Sequence, residues 1–177
     1  MTRKIIAFGA SNSKKSINKK LATYTANLFT NSEVEIIDLN NFEAPLYSID
    51  KEKENGFPAV IEKFITKINA ADLLVLSMAE HNANYTVAFK NILDWASRIN
   101  VTFFNNQKVF LLSTSPGARG GKSVLEITKD RLPKHGATIL ATFSLPSFNE
   151  NFDYEKGVIT NEKLDKELKE LVTNIEF

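Results

Sequence analysis

The sequence predicts an α/β fold, a three-layer sandwich in which a five-stranded parallel sheet of order 2-1-3-4-5 is covered by helices on both faces. Three observations predict it. Short apolar runs of strand length alternate with amphipathic segments along the whole chain, without internal repeat or low-complexity tract. The most apolar of these runs, residues 73–78, is continuous rather than alternating, as strands covered on both faces are. The segments between runs are long enough for the helical crossovers that parallel strands require, and right-handed crossovers leave few topologies. At 177 residues, 43% hydrophobic and 24% charged, the chain reads as one domain over residues 1–177.

Ile5-Ile6-Ala7-Phe8 is strand one. Ser16 is the expected N-cap of helix one, whose stripe is Ile17, Leu21, Tyr24 and Leu28. Residues 34–39 alternate in part and make strand two, an edge. Residues 40–56 read as the longest loop, carrying the charged run Asp50-Lys51-Glu52-Lys53-Glu54 on the surface. Pro58 suits a first helical turn, and Ile61, Phe64, Ile65 and Ile68 give helix two its apolar face. Residues 73–78 form the central strand, and a compact polar loop at 79–85 leads to helix three, marked by Phe89, Ile92, Leu93 and Ala96. Strand four is 107–114, helix four 122–135 with Gly136 just past its end, and strand five 138–143. A polar stretch then precedes a last amphipathic helix carrying Leu164, Leu168, Leu171, Val172 and Ile175.

In such a sheet, ligands bind beyond the carboxyl ends of the strands where strand order reverses, here between strands one and three. Three unusual loops follow strands one, three and four and converge there. The first, residues 9–18, is rich in small and hydroxyl side chains and opens directly into a helix. It reads as a phosphate cradle, with hydroxyls of Ser11, Ser13 and Ser16 and the Ile17 and Asn18 amides around one anion. The alternative is a Ser-rich turn that only caps the helix, with Asn18 a solvated helix residue. The 115–121 loop, with Gly117, Gly120 and Gly121, lets backbone amides approach a ligand closely, or is a turn before helix four.

Ser11-Asn12-Ser13-Lys14-Lys15-Ser16-Ile17-Asn18, Glu80-His81-Asn82 followed by Phe89-Lys90-Asn91-Ile92-Leu93-Asp94-Trp95, and Ser115-Pro116-Gly117-Ala118-Arg119-Gly120-Gly121 occur in order, each after its expected strand. On these motifs the chain resembles the NAD(P)H-dependent FMN reductase family of flavodoxin-like flavoproteins, which includes quinone, azo-dye and chromate reductases. The resemblance implies FMN as cofactor, with its phosphate at Ser11, Ser13, Ser16, Ile17 and Asn18. It places the isoalloxazine along Ala79, Glu80, His81, Asn82 and Ala83 and beside Ser115, Pro116, Gly117, Gly120 and Gly121. Ser13 stands where the family has Arg, Ala79 and His81 flank Glu80 in place of Pro and Tyr, and Asn84, Thr86 and Val87 replace Ser, Pro and Gly.

The implied activity is ping-pong hydride transfer from NADPH or NADH to bound FMN and on to a quinone, free flavin or similar small acceptor. The alternative is a non-enzymatic FMN carrier or flavin-sensing module. Near-neutral charge, +1 from 22 basic and 21 acidic residues, favours the enzyme over an acidic carrier and gives no footprint for nucleic acid or an anionic membrane. No side chain is required as acid or base, since apolar packing and backbone donors along N1, O2, N3 and O4 suffice to bind and tune the ring. With no cysteine and two histidines, no metal site is expected. No apolar run approaches the roughly 18 residues of a membrane span, and the N-terminal run is too short for a signal sequence, so a cytoplasmic protein is expected. The resemblance also implies a homodimer or tetramer. Trp95 and the pair Phe103-Phe104 are read as packing residues, within the chain or between subunits.

Overall fold

A computed structural model describes residues 2–177, and in it the apolar runs form the expected parallel sheet. The strands are β1 (Arg3–Ala10), β2 (Ser32–Ile36), β3 (Leu73–Met78), β6 (Lys108–Thr114) and β7 (Thr138–Leu145), in the order β2-β1-β3-β6-β7. Numbered among themselves, this is 2-1-3-4-5. Every residue of β3 is buried, as a continuous apolar run at the centre of a two-sided sheet must be. Register brings Gly9 opposite Ser77 and Ala10 opposite Met78, so β1 and β3 end together.

Helices α1 (Ile17–Ala26) and α7 (Glu162–Asn174) cover one face, where Leu21, Ala22 and Leu168 pack on Ile5, Ala7 and Val75. The other face carries α3 (Ala59–Asn69), α4 (Val87–Ile99) and α5 (Lys122–Arg131), with Phe64, Phe89, Trp95 and Val124 against Ile6, Phe8 and Leu76. Ser16 caps α1, its Oγ accepting from the Lys19 N–H at 3.1 Å.

Several local expectations are corrected. The charged run is not loop: α2 (Ile49–Asn55) forms there because Ser48 caps it, Asp50 and Glu52 sit in the favourable first turn, and Gly56 at φ 70° stops it. Before it, residues Leu39–Phe42 make a 3-10 turn capped by Asp38. The loop at 79–85 is a small hairpin, β4 (Glu80–His81) and β5 (Asn84–Tyr85). Its turn residues, Asn82 and Ala83, have φ of 51° and 59°, the double left-handed conformation whose twist suits a two-residue hairpin. Helix four ends as α-helix at Arg131 and tightens to a 3-10 turn at Leu132–His135, because Pro133 has no N–H to continue it. The polar stretch after β7 holds a one-turn helix, α6 (Phe148–Asn151), and a ribbon of β8 (Phe152–Asp153) with β9 (Val158–Ile159).

Trp95 is 1% exposed, and Phe103 and Phe104 are fully buried in the chain's own core. They pack within the chain, so the reading of these three as contacts between subunits is withdrawn.

Candidate functional site

The loops after β1, β3 and β6 meet on the carboxyl rim of the sheet, and three side chains hold them there. Asn18, 2% exposed on the first turn of α1, accepts from Ser77 Oγ at 2.7 Å and from the Thr114 N–H at 3.1 Å, and donates to the Thr114 carbonyl at 3.1 Å. Its side chain therefore ties α1 to the ends of β3 and β6, which is neither a ligand contact nor a solvated position. Thr86, the buried N-cap of α4, accepts from the Phe89 N–H and donates to the Ala10 carbonyl at 2.9 Å. Glu80 turns its carboxylate to the N-terminus of α5, accepting from the Val124 N–H at 2.9 Å.

The loop at 11–16 is held by local bonds alone: Ser11 N–H to the Gly9 carbonyl, Ser13 N–H to Ser11 Oγ, and Ser16 N–H to the Ser13 carbonyl. Among the described residues nothing accepts from the Ile17 and Asn18 amides, which point out of the N-terminus of α1. Gly9 makes this possible, since a Cβ there would lie 2.4 Å from the Lys19 nitrogen, so α1 starts in contact with the β1 backbone. Two unpaired amides, a helix dipole and the hydroxyls of Ser11, Ser13 and Ser16 fit a phosphate dianion. Ser13 brings no charge, and Lys14 and Lys15 beside it are exposed. Lys19, by contrast, is engaged by Asp38 at 2.6 Å, which holds that carboxyl below its ordinary range.

Across the hairpin, the 115–121 loop is fastened from outside. The Ser147 and Phe148 amides donate to the Gly117 and Ser115 carbonyls at 3.0 Å, and Ser113 and Ser144 hydroxyls donate to the Gly120 carbonyl at 2.7 and 3.0 Å. With these carbonyls engaged, the amides of Gly117, Ala118 and Arg119 have no acceptor among the described residues. Gly120, at φ 58°, leaves only 2.5 Å to Ser144 Oγ for a Cβ, so this is a packed corner and not a loose turn. A rim of fixed, free donors suits the pyrimidine edge of a flavin. Pro116 and Gly117 are exposed, Ser115 is half-buried and Ala79 is buried.

The hairpin divides two environments. Glu80 and Tyr85, paired across it, face α5, where burial pushes the Tyr85 hydroxyl above its ordinary range. His81 and Asn84 are its other pair, and His81 borders a cavity of about 300 Å³ on the far side. That cavity lies between the 39–46 segment and the start of α4, with Asn12 at its edge. The 39–46 segment is clamped onto one face of α4. Asn91 accepts from the Tyr47 N–H at 2.9 Å and donates to the Ala44 and Pro45 carbonyls, Trp95 Nε1 donates to the Pro45 carbonyl at 2.7 Å, and Arg98 pairs with Glu52 at 2.9 Å. The Asn91…Trp95 motif is thus a loop clamp. Val87, in place of a family glycine, is the first residue of α4 and 70% exposed, so its side chain meets no crowding in the chain.

The loops that carry the expected residues meet at this rim, with Ser16, Asn18, Ala79, Gly120 and Gly121 buried within it. Sequence reasoning missed the clamp partners, Tyr47 and Pro45, and the role of Thr86; the signal for Thr86 was a Thr directly before the apolar-periodic run that opens at Val87.

The sequence profile of the family described as NADPH-dependent FMN reductase matches residues 3–150. An uncharacterized protein of Mycoplasma pneumoniae, an MG342 homolog, is 27% identical over 170 residues, covering 93% of this chain and 99% of that protein. The quinone reductase of Escherichia coli K12 is 30% identical over 130 residues, 73% of this chain and 64% of its own length. Among solved structures, FerB, a flavoenzyme NAD(P)H:(acceptor) oxidoreductase from Paracoccus denitrificans, superposes with a TM-score of 0.76 at 23% identity, covering 97% of this chain and 93% of that one. The last establishes likeness of fold.

Proposed function

Because the chain belongs to the NADPH-dependent FMN reductase family, whose enzymes work with FMN and NAD(P)H, we propose that it reduces a small electron acceptor in ping-pong fashion. FMN held on this rim by the 11–18 and 115–121 loops would supply a two-electron carrier between NAD(P)H and the acceptor. The observation that carries the reading is the convergence of two sets of unpaired backbone amides, Ile17 and Asn18 on one side of the hairpin and Gly117, Ala118 and Arg119 on the other. The first set, with Ser11, Ser13 and Ser16, holds the phosphate. The second orients the pyrimidine edge and favours negative charge there.

The residues between, Ala79, His81, Asn82 and Ala83, form the floor. His81, Asn82 and Ala83 are exposed, which leaves space above the hairpin where nicotinamide and acceptor bind in turn. Arg119 is exposed beside Ser123, where in this reading it either pairs with a 2′-phosphate or faces water. No helix is long and apolar enough to cross a membrane among the described residues. We place the enzyme in the cytoplasm, where NAD(P)H is supplied, and as a homo-oligomer through surfaces other than Trp95, Phe103 and Phe104.

The test is a visible spectrum of the purified protein followed by anaerobic titration with NADH and with NADPH. A yellow protein bleached by either supports the enzyme; a yellow protein unbleached at millimolar NADPH is a carrier. Replacing Ser11 and Ser16 together by Ala should weaken FMN retention by about tenfold or more. Unchanged retention would remove the phosphate assignment.

A further inference from the structure

We propose that the cavity between the 39–46 segment and α4 seats the adenosine half of the nicotinamide dinucleotide, and that Glu43 on its rim makes this chain bind NADH more tightly than NADPH. This rests on the flavoenzyme reading above, and decides between its two reductants.

Reach comes first. A dinucleotide whose nicotinamide lies above the hairpin carries a second ring that must settle beyond it. His81 belongs to both places, since it is exposed on the hairpin and borders the cavity. Two other surface hollows, one along α7 and one beside α3, take no residue from the three loops of the rim. At about 300 Å³ the cavity lies at the lower end of small-molecule sites and suits a purine with its ribose at the mouth. Its walls are apolar, Leu39 and Phe42 from the 39–46 segment and Ala88 and Ile92 from α4, as the two faces of a flat ring require. The clamp of Asn91, Trp95 and Arg98 holds the segment to the helix, so the slot exists before a ligand arrives.

The polar groups are divided as a nucleoside needs. Inside, Asn91 uses its oxygen on Tyr47 and its amide hydrogens on Ala44 and Pro45, and Thr86 bonds Ala10 and Phe89, so neither is free for a ligand. At the mouth, Asn12 and Asn40 are exposed, and Asn40 donates its amide to Asp38 at 2.7 Å, which leaves its carbonyl oxygen to accept from an exocyclic amine. Glu43 decides the sugar. A carboxylate accepts from the 2′-hydroxyl of NADH and repels the 2′-phosphate of NADPH, which selective sites meet with arginine instead. Glu43 is exposed on the rim, and neither lysine nor arginine lines the cavity. The cations of the surrounding elements are engaged, Lys19 with Asp38, Lys90 with Asp94, Arg98 with Glu52 and Lys51 with the Leu46 carbonyl. On this assignment Arg119, across the hairpin, faces water. The family's description names NADPH, so the preference for NADH belongs to this chain's own rim.

The probes are the tetrahydro analogues of NADH and NADPH, whose ring no longer donates hydride, and binding to the purified protein is measured calorimetrically. The NADH analogue should bind at least about fivefold more tightly than the NADPH analogue. Glu43→Gln should narrow that ratio by about threefold, and Glu43→Lys should invert it. Ala88→Phe, which fills the slot, should weaken both analogues by about tenfold or more while the FMN content stays as in wild type. If Ala88→Phe fails to fold, the two changes at the exposed Glu43 carry the test. Equal affinity for the two analogues, a ratio unmoved by Glu43→Lys, or binding unaffected by a folded Ala88→Phe overturns the proposal. So does a loss of the NADPH analogue in Arg119→Ala, which would put the 2′-phosphate at the 115–121 loop. A colourless protein with a Glu43-dependent preference keeps the cavity assignment and removes the flavin reading; a yellow protein bleached equally well by NADH and NADPH does the reverse.

Discussion

The two loops that flank the hairpin are built in opposite ways. The 11–16 loop is held by bonds to its own neighbours, while the 115–121 loop is fastened by Ser113, Ser144, Ser147 and Phe148. A segment with only local bonds opens at little cost, and a segment bonded to a distant strand opens only with that strand. The difference teaches where stability and affinity are separately stored. On the proposed assignment, the 11–16 loop closes on the FMN phosphate, and the 115–121 loop presents its donors already fixed.

Substitution on the two sides should therefore fail in different assays. Gly120→Ala adds a Cβ at φ 58° that would lie 2.8 Å from the Leu145 backbone, so it should lower the free energy of urea unfolding by about 4 kcal/mol. Ser13→Ala, at an exposed turn whose hydroxyl closes no bond within the chain, should change that free energy by less than about 0.5 kcal/mol and act on FMN affinity instead. If both variants lose stability alike, the contrast between the loops is false.

Glu80 sharpens the comparison one step down. Its carboxylate is the bond that couples the hairpin to the start of α5. Glu80→Ala should cost about 1 to 2 kcal/mol in the same unfolding experiment, by leaving the Val124 amide without its acceptor. Glu80→Gln should recover a good part of that, because an amide oxygen still accepts from the Val124 N–H and gives up only the charge assistance. A Gln variant as unstable as the Ala variant would mean that charge, and not the hydrogen bond, does the coupling.

On the self-held side, the outside support is the Lys19–Asp38 pair, which joins the first turn of α1 to the cap of the 39–42 turn. The hydrogen bond from Lys19 lowers the Asp38 pKa in the folded state. A lowered folded pKa means that the stabilisation is fully present above the unfolded value, about 3.9, and is lost as pH falls through the folded one. Because the pair is about one-third exposed, with side chains at 35% and 32%, the effect should be only about 0.5 kcal/mol. Asp38→Asn should flatten the stability profile below pH 4 by that amount, and calorimetric unfolding across pH 2 to 6 measures it. Glu35, lowered by Lys67, titrates in the same window, so the difference between wild type and Asp38→Asn is the quantity to read.

What was legible in the sequence follows the same divide. Continuous apolar runs specified the strands and their parallel order, because burial on both faces leaves no polar position to alternate. Gly and Ser clusters located the rim. The fastening of Gly120 by Ser144 was not legible, since it joins residues 24 apart whose register only the folded sheet sets. The anchoring of the Asn18 side chain was not legible for that reason too: its partners, Ser77 and Thr114, are 59 and 96 residues away. The charged run at 50–54 hid α2 because no apolar stripe marks a helix that buries none of its residues.

Tyr85 tests how well the fastened side is fitted. It packs against Phe89, with ring centroids 5.9 Å apart, and its hydroxyl is buried against α5 without a hydrogen-bond partner among the described residues. The neighbouring Thr128 hydroxyl donates its own proton to the Val124 carbonyl at 2.6 Å, so it could serve Tyr85 only as an acceptor, and no hydrogen bond between them is formed in the structure. A buried hydroxyl that has lost water and gained nothing is a net cost, and removing it leaves the ring's packing intact. Tyr85→Phe should therefore be neutral to about 0.5 kcal/mol more stable by urea unfolding, opposite in sign to Glu80→Ala on the same face of the hairpin. A loss of 1 kcal/mol or more would show that the hydroxyl is bonded in solution, and that the α5 side is fastened at one more point than its hydrogen bonds reveal.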